Sequence, residues 1–537
     1  MPLRRLHQSL LLLFGGLLCL PVLAVLASWL QWDAATAQIL GEMGRTVLPD
    51  YLGTTVVLCL LVAFGVVLVG TATATAVTLF DFPGRRSLEW ALLLPLAMPA
   101  YVVAYAYTDF LQFGGPLQNM LRSATGLEGR MLPDVRSVGG AVWVFTFSLY
   151  PYVYLLARSA LSERAAHLME AARLLGAPLS RRIVQIALPL ARPAVAAGAA
   201  LALMETLADF GVSSYFGIQT FTAGIYKAWL AMDNRIAAAQ LATMLLAFVA
   251  LLLALEHRAQ RRMRFATGRG ARANADAMPV VLRGRDRWMA WGVCGAPVLM
   301  GFVLPVVFML RPLLADWRLL PWGRFIEWSL NSLRLGLVTA VLAVAVALLL
   351  AFAARSRSDA VTRLVVRLAG LGYAVPGAVI VVGLLLPVGW LQAVAPQSGV
   401  GFYITATSLG LVWAYLVRFC AVALQSVQSG YTRIPSSFDD SARTLGSTGF
   451  GLMARVHWPL LRRSTAAAAL LVFVDVMKEL PATMVLRPFN SDTLAVVAYQ
   501  LARDERLGEA ALPCLALVLV GLIPVVLLSR TMRAPAR

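Results

Sequence analysis

Several residue types that carry catalytic or metal chemistry are scarce in this 537-residue chain. It holds four histidines, scattered along the sequence, and five cysteines that lie within apolar runs, with no pair at metal-ligand spacing. Isolated cysteines of this kind are typical of small buried apolar residues. The only two lysines, Lys227 and Lys478, follow Tyr226 and Met477, so the Gly-Lys-Ser/Thr element of a phosphate-binding loop is absent. We therefore predict no catalytic site, no stable metal site and no ATPase activity on this chain.

Charge is sparse as well, at 14% of residues, whereas 60% are hydrophobic and the mean hydropathy is +0.75. Apolar runs of about twenty residues recur, and each is long enough to cross the hydrocarbon core as a helix. A spanning barrel would need short segments of alternating polarity, which are absent. The composition predicts an all-α polytopic membrane protein.

Twelve apolar runs divide into two sets of six around an arginine-rich stretch. The predicted domains are a first six-span repeat at 1–256, a basic cytoplasmic linker at 257–287 and a second six-span repeat at 288–537. The first run is too long for a typical signal-peptide core, so we expect an uncleaved span there, with a cleaved signal as the alternative. The spans lie near 10–30, 52–77, 90–110, 138–157, 194–216, 237–255, 288–310, 331–353, 364–390, 402–424, 465–486 and 511–529.

The basic residues predict the orientation of these spans. With both termini in the cytoplasm, 31 of the 46 arginines and lysines fall on inside segments, 12 on outside segments and three within spans. This bias follows the positive-inside rule, and it explains the net charge of +19 without a nucleic-acid partner. Because six spans restore the starting side, the two halves are expected to be parallel repeats.

One motif occurs twice, between the fourth and fifth predicted spans of each half. Residues 170–176 read Glu-Ala-Ala-Arg-Leu-Leu-Gly, and residues 186–189 read Ile-Ala-Leu-Pro. Residues 440–446 read Asp-Ser-Ala-Arg-Thr-Leu-Gly, and residues 456–459 read Val-His-Trp-Pro, each displaced by 270 positions from the first copy. Equal spacing in both copies indicates an internal duplication.

The segment before each motif glycine has an apolar stripe at helical spacing. The stripe comprises Ala165, Leu168, Met169, Ala172 and Leu175 in the first copy and Ile434, Phe438, Ala442 and Leu445 in the second. Gly176 and Gly446 are suited to a left-handed turn that a side chain would resist. We expect a short cytoplasmic helix, a glycine turn and a second helix, which together form a rigid lever; an ordinary amphipathic connector is the alternative.

Four carboxylates lie inside the fifth predicted span of the two halves, where charge is costly. Glu205 and Asp209 are four residues apart, as are Asp475 and Glu479, and the two pairs are again related by 270 positions. Spacing of four predicts that each pair shares a helix face directed at the bundle interior or a water-filled path. These acids are candidates for the path of a highly charged cation, since such ions prefer oxygen ligands. The structural alternative, pairing with Lys478 or with helix-end groups, is equally open.

The third predicted span is interrupted by proline in both halves. Pro95 and Pro99 interrupt the first, and Pro376 lies in the matching run of the second. Proline within a span frees backbone carbonyls and kinks the helix. These breaks either border a pathway or are tolerated kinks, of which the kink is the simpler interpretation.

The repeated motif resembles the signature of binding-protein-dependent ABC importer permeases, which is Glu-Ala-Ala, three residues, Gly, nine residues, Ile, one residue, Leu-Pro. The first copy matches throughout, whereas the second has Asp for Glu, Ser for Ala, Val for Ile and Trp for Leu. The resemblance implies that each loop is a coupling helix that docks on a separate cytosolic ATPase, which binds the ATP. The implied coupling residues are Glu170, Ala171, Ala172, Gly176, Ile186 and Pro189, with Asp440, Ser441, Ala442, Gly446, Val456 and Pro459.

Residues around the intramembrane acids resemble the ferric-iron branch of these permeases, which also fuses two six-span halves. The similar stretches are 205–211, 214–217 and 219–226 in the first half and 478–483, 486–490 and 492–495 in the second. The resemblance implies a bacterial inner-membrane permease served by an ATPase dimer and by a periplasmic or lipid-anchored ferric-binding protein. It implies alternating access driven by ATP, without a cofactor on this chain. Thiamine permeases share the fused layout, so thiamine is the nearest rival substrate.

A different class of function is also open. A secondary transporter could use the buried acids as proton sites, and it would need a proton gradient rather than an ATPase. That hypothesis gives no reason for the duplicated cytoplasmic loop. A membrane enzyme is disfavoured because the chain offers no reactive cluster of side chains.

Overall fold

A computed structural model describes residues 2–30, 34–162, 166–264, 280–315, 317–356 and 359–533. Residues 265–279 of the predicted linker, together with Ala165 of the first apolar stripe, lie outside the described residues. The described chain is almost wholly helical, with one pair of two-residue parallel strands, β1 (Phe80–Asp81) and β2 (Val280–Val281). The predicted all-α polytopic fold is confirmed.

The described residues form 26 α-helices, thirteen before residue 265 and thirteen after residue 284. The first thirteen are α1 (Pro2–Ala27), α2 (Ala34–Arg45), α3 (Leu48–Leu79), α4 (Arg85–Ala91), α5 (Ala100–Leu111), α6 (Pro116–Thr125), α7 (Val138–Ala160), α8 (Ala166–Leu174), α9 (Leu179–Arg182), α10 (Leu188–Ala208), α11 (Gly211–Tyr215), α12 (Phe221–Tyr226) and α13 (Arg235–Arg264). The others are α14 (Arg285–Val298), α15 (Leu304–Ala315), α16 (Trp322–Ser356), α17 (Ala360–Gly370), α18 (Gly377–Val394), α19 (Val400–Thr405), α20 (Leu409–Tyr431), α21 (Ser436–Thr444), α22 (Phe450–Leu452), α23 (Trp458–Lys478), α24 (Pro481–Leu486), α25 (Leu494–Arg503) and α26 (Leu507–Arg533).

Ten helical segments of the described chain are long and apolar enough to cross a membrane, or up to eleven if one bent pair counts as a single span. They correspond to the predicted spans except for the one near 465–486. That span contains α23, a 21-residue helix. Arg462 and Arg463 near the start of α23 and Asp475 and Lys478 near its end leave this helix no 18-residue stretch with two or fewer charged residues. Its repeat counterpart, α10, belongs to a segment that qualifies.

The predicted break of the third span by proline is confirmed in the first half. The pair Arg85–Ala97 and Ala100–Thr125 is bent by 90°. A short 3-10 turn at Leu94–Ala97 precedes the bend, and Pro99 is the extended residue before α5. In the second half Pro376 occupies the same place before α18, after a 3-10 turn at Gly372–Ala374. Proline favours these sites because it cannot donate the backbone hydrogen bond of a helix interior.

The described chain packs into two compact units, each assembled from separate segments. One unit holds residues 1–42, 225–246 and 321–497. In it α1 packs closely on α18, and Gly383 permits this approach because a Cβ atom there would lie 1.9 Å from the carbonyl oxygen of Pro21. The Trp413 indole also donates to the Leu17 carbonyl at 2.8 Å. This unit therefore joins the first helix of one predicted repeat to the central helices of the other.

The other unit holds residues 43–224, 247–320 and 498–537. Its centre is the packed pair of helices α3 and α7. The segment that joins α14 to α15 lies against α7 at Gly301, where a Cβ atom would be only 2.3 Å from the Phe147 carbonyl oxygen. The Tyr107 hydroxyl donates to the Met300 carbonyl at 2.7 Å. The units are defined by packing and the repeats by sequence, so the repeat boundaries stay a prediction.

Candidate functional site

The first repeated loop turns at Gly176, as its sequence predicts. Helix α8 ends at Leu174, and Gly176 has φ of +79° with open space around its Cβ position. The Gly176 amide donates to the Arg173 carbonyl, and the Ala177 amide to the Ala172 carbonyl, each at 3.0 Å. This pair of bonds is the Schellman ending, which satisfies the last carbonyls of a helix and requires a left-handed residue.

The second loop repeats that turn at Gly446. Its φ is +82°, and no heavy atom lies within 4 Å of its Cβ position. The Gly446 amide donates to the Arg443 carbonyl at 3.0 Å and the Ser447 amide to the Ala442 carbonyl at 2.9 Å. The left-handed glycine is therefore confirmed in both copies, although only four of the seven residues from 440 to 446 match the first copy.

The predicted apolar stripes are only partly covered by their own chain. Met169 and, in the second loop, Ala442 and Ile434 are buried. Leu175 and Leu445, which precede the two glycines, are each 87% exposed. Each predicted stripe is therefore divided between residues that this chain buries and residues that it leaves exposed. Two exposed leucines at equivalent positions leave an apolar surface at each turn.

The motif acids are exposed and make only local ion pairs. Glu170 Oε1 lies 3.9 Å from Arg173 Nη1, and Asp440 Oδ1 lies 3.3 Å from Arg443 Nη1. The two residues of each pair are three positions apart on one helix. Exposed pairs of this kind contribute about 0–1 kcal/mol to stability. Neither acid is therefore required to hold its loop together.

A π-helical turn follows each glycine turn, and the sequence reasoning missed it. The turns span Ile183–Ala187 and Met453–His457, again 270 residues apart, and contain the motif residues Ile186 and Val456. Each is followed at once by Pro189 or Pro459 in the first turn of the next helix. A proline ring clashes with the carbonyl four residues before it, and a wider turn relieves the clash. Each loop thereby continues without a break into α10 or α23.

The intramembrane acids are not arranged as the sequence predicted. Helix α10 ends at Ala208 and α23 ends at Lys478, so Asp209 and Glu479 lie just past the helix ends in extended conformation. The expectation that Glu205 and Asp209 share one helix face, and likewise Asp475 and Glu479, was therefore wrong. Glu205 and Asp475 remain on α10 and α23 and are half-buried.

Asp209 and Glu479 each cap the short helix that follows the break. The Asp209 carboxylate accepts hydrogen bonds from the amides of Val212 and Ser213, at 2.9 and 3.2 Å. At the positions 270 residues later, Glu479 accepts from the amides of Ala482 and Thr483, both at 3.0 Å. An acid at this place is stabilised because it satisfies free helix amides and faces the positive end of the helix dipole.

The Glu479 carboxylate has further partners in the second half. The Thr483 hydroxyl lies 2.8 Å from one of its oxygens, and Arg418 of α20 lies 3.5 Å from the other. The side chains of Arg418 and Glu479 are 11% and 2% exposed. A buried arginine beside a buried carboxylate neutralises its charge. At the position of Arg418 the first half has Ser148, so the two halves differ in charge here.

Comparisons with known proteins show what this chain is similar to. The family described as binding-protein-dependent transport system inner membrane component matches residues 66–265. The chain is 25% identical to the Fe(3+)-transport system permease protein of Haemophilus influenzae over 526 residues, which is 97% of each chain. The chain is therefore similar to the permeases of binding-protein-dependent transport, in part by the family match and along its length by the full-length match.

Two further permeases match parts of the chain. The putative 2-aminoethylphosphonate transport system permease protein of Salmonella choleraesuis is 28% identical over 177 residues, which is 32% of this chain and 62% of that protein. The molybdenum transport system permease protein of Escherichia coli is 32% identical over 135 residues, which is 25% of this chain and 57% of that protein. Both matches reach less than two thirds of the relative's length, unlike the full-length match.

The permease also holds a buried polar cluster that the sequence reasoning missed. Asp439, next to the motif acid Asp440, is 5% exposed, and His457 is fully buried in the second π turn. The two side chains are joined at 2.9 Å between Oδ1 and Nε2. Arg355, at the end of α16, donates to the same carboxylate at 2.7 Å. Two consecutive acids at 439–440 and a histidine inside the Val-x-Trp-Pro motif were the only local signals.

In the described part of this permease, no three histidine, cysteine or acidic side chains lie close enough together to hold a metal ion. The acids Glu205, Asp209, Asp475 and Glu479 thus do not form a preassembled metal centre in this conformation. Asp209 and Glu479 each cap a helix, and Glu479 also pairs with Arg418, so both have structural roles. The helix caps agree with the alternative that these acids bind helix-end groups. Their part in a translocation path stays a prediction.

Proposed function

We propose that this permease is the membrane subunit of an ATP-driven importer of ferric iron. The observation that carries the substrate is the match along 97% of the chain to a permease named for Fe(3+) transport, because it includes both halves and both repeated loops. The partial matches to the permeases for 2-aminoethylphosphonate and molybdenum cover no more than about a third of the chain and make an oxyanion the second candidate substrate.

ATP hydrolysis is assigned to a separate cytosolic ATPase dimer, with no cofactor on this chain. Both loops support this assignment, since each offers a rigid turn with an exposed leucine that is continuous with a spanning helix. A push on either turn reaches α10 or α23 through helical backbone, rather than being absorbed by a flexible link. The coupling residues are those of the two motif copies, from Glu170 to Pro189 and from Asp440 to Pro459.

A periplasmic or lipid-anchored binding protein delivers ferric iron to the outer face of the inner membrane, and both termini are cytoplasmic. The family description supports such a partner, and the arginine distribution supports the orientation. We assign the path to Glu205 and Asp475, which lie on the helices themselves. Asp209 and Glu479 instead set the helix breaks beside the path through the amides they cap.

The test is uptake into proteoliposomes that contain the permease, its ATPase and its binding protein. Radiolabelled ferric iron, thiamine, sulfate and 2-aminoethylphosphonate are offered separately, with and without ATP. The proposal predicts ATP-dependent accumulation of iron alone. Accumulation of thiamine or an oxyanion instead would keep the importer class and discard iron.

The path assignment is tested with Glu205→Gln and Asp475→Asn, alone and together. Loss of iron uptake with normal insertion and normal ATPase binding is the expected result, because the amides keep the shape and remove the charge. Unchanged uptake in the double variant, and also when Asp209→Asn and Glu479→Gln are added, would remove the carboxylates from the transport path.

A further inference from the structure

The second repeated loop is fastened to the membrane helices by one buried carboxylate. Asp439 lies in α21, one residue before the motif acid, and points away from solvent. Its oxygens accept hydrogen bonds from Arg355 Nε at 2.7 Å and Nη2 at 3.2 Å, in a two-pronged arrangement. Oδ1 also accepts from His457 Nε2 at 2.9 Å. Charge-assisted, two-pronged bonds of this kind are among the strongest and most directional in proteins.

The network around Asp439 draws on three different long helices or their ends. Arg355 lies at the end of α16, and His457 lies in the π turn that leads into α23. The hydroxyl of Tyr431, the last residue of α20, lies 3.2 Å from His457 Nδ1. The His457 ring thus links the Tyr431 hydroxyl on one side to the Asp439 carboxylate on the other. Helix α21 is therefore bonded, directly or through one side chain, to α16, α20 and α23.

Arg355 also holds the backbone that leads into α21. Its guanidinium donates to the carbonyls of Tyr431 at 3.3 Å, Ile434 at 3.0 Å and Pro435 at 3.1 Å. It lies over the Tyr431 ring at 5.3 Å. One side chain thus fixes both the entry into the short helix and its acidic face. Such a network permits little sliding, because any displacement breaks several bonds at once.

The first loop is held by a different means at the equivalent positions. Met169 corresponds to Asp439, Ala187 to His457 and Leu161 to Tyr431, each 270 residues earlier. All three are buried, at 7%, 0% and 1% exposure. Apolar contacts are non-directional, and their strength depends on the area removed from water rather than on bond angles. The first short helix can therefore shift against its support at lower cost than the second.

We infer that Arg355 and His457 are positioning residues that lock the second coupling helix, through Asp439, to α16 and α23. The lock transmits displacement of α21 to those two spanning helices. The inference rests on the proposed function of the loops as coupling helices. It predicts that breaking the lock leaves the ATPase bound and active but weakens the link between hydrolysis and transport.

The deciding experiment compares the intact permease with Asp439→Asn in proteoliposomes with its ATPase and binding protein. Three quantities are measured: co-purification of the ATPase, ATP hydrolysed, and solute imported per ATP. Asp439→Asn removes the charge and keeps the shape, so we expect co-purification to persist and the import per ATP to fall roughly threefold to thirtyfold, the range for a residue within a coupling network. Glu509→Gln, in an exposed pair with Arg506, is the matched control and should leave all three quantities unchanged.

Two results would overturn the inference. One is an unchanged import per ATP in Asp439→Asn, and the other is a parallel fall of hydrolysis and import, which indicates a merely structural role. If Asp439→Asn fails to insert, Arg355→Lys decides instead, because it keeps the charge and loses the two-pronged geometry; an unchanged ratio there also overturns the lock. Failure of the proposed function has a separate signature, in which the unaltered permease neither retains an ATPase nor imports with ATP.

A double-variant cycle identifies the pair responsible. Asp439→Asn and Arg355→Gln each lower the import per ATP, and their combination should lower it no further than the stronger single change, because both remove the same bond. Losses that multiply would show that the two residues act independently and would contradict a single lock. His457→Gln, which keeps a donor amide, should recover more of the ratio than His457→Ala.

Discussion

The two repeated loops have the same turn but different anchors. Gly176 and Gly446 adopt the same left-handed conformation with the same two hydrogen bonds, and a π turn and a proline follow each. Behind the turn, however, the first loop rests on Met169, while the second is bonded through Asp439. The local turn is set by a few residues and survives duplication, whereas the anchor depends on distant partners and has diverged. Two copies of one motif are therefore held to the rest of the protein by different contacts.

The largest expected effect comes from removing the feature that the loops share. Gly176→Pro combined with Gly446→Pro should abolish ATPase co-purification while the protein still inserts, because proline is fixed near φ of −65° and cannot adopt a left-handed turn. Gly126→Pro is the matched control, since Gly126 has φ of +67° in a predicted outer loop. Retention of the ATPase by the double variant would contradict the coupling assignment of both loops.

The next effect separates the two anchors. Asp439→Leu should lower the free energy of unfolding by about 3–5 kcal/mol, because Arg355, whose side chain is only 17% exposed, is left without its carboxylate. Met169→Leu, the volume-conserving change at the equivalent position, should cost less than about 1.5 kcal/mol. Denaturant titrations of the purified permease in detergent measure both values. Equal losses would mean that the anchors do not differ in kind.

The intramembrane acids provide a smaller contrast of the same type. Glu479→Gln should destabilise the permease by about 1.5–3 kcal/mol, because the carboxylate receives a hydroxyl and lies beside Arg418 as well as capping a helix. Asp209→Asn should cost about 1 kcal/mol or less, since asparagine is itself a good helix cap. The same titrations test this order, and the reverse order would show that Arg418 does not stabilise Glu479.

The smallest effect concerns pH. Burial alone would raise the pKa of Asp439, but hydrogen bonds from Arg355 and His457 and their charges outweigh it and hold the pKa below its usual 3.8. A lowered pKa means that this carboxylate's contribution is complete above 3.8 and is lost as the pH falls through its value in the folded protein. Unfolding titrations should therefore show no loss from Asp439 between about pH 8 and 5, and a loss below about pH 4 that Asp439→Asn lacks. If Asp439→Asn loses the same amount of unfolding free energy below about pH 4, the loss comes from other titrating groups.

Local patterns predicted the features that depend on local sequence. Apolar runs predicted the all-α polytopic fold, and glycine after an apolar stripe predicted the left-handed turns. The helix ends at Ala208 and Lys478 were missed, because the apolar pattern continues through Phe210 and Leu480 and conceals that the next acid caps a new helix. A charged residue inside an apolar run was interpreted as part of one helix face, when it marks the end of the helix.

The lock at Asp439 was beyond prediction for a different reason. Arg355, Tyr431 and His457 are 84, 8 and 18 positions from Asp439 along the chain, and only folding brings their side chains to one carboxylate. A periodic pattern reports the face of one helix and not the identity of the residues from other helices that face it. The exposed Leu175 and Leu445 pose the converse problem, since an apolar stripe does not reveal whether its partner is in the same chain.

The claim that ATP hydrolysis drives transport through the two repeated loops is tested most directly by measuring which energy source supports transport. The measurement uses proteoliposomes that contain the permease with its ATPase and binding protein. Accumulation of ferric iron is measured with ATP and no pH gradient, and then with a pH gradient and no ATP. If the loops couple ATP hydrolysis to transport, iron accumulates only with ATP, and the Gly176→Pro, Gly446→Pro variant does not accumulate it. Accumulation driven by the pH gradient alone, undisturbed by that variant, would contradict this coupling.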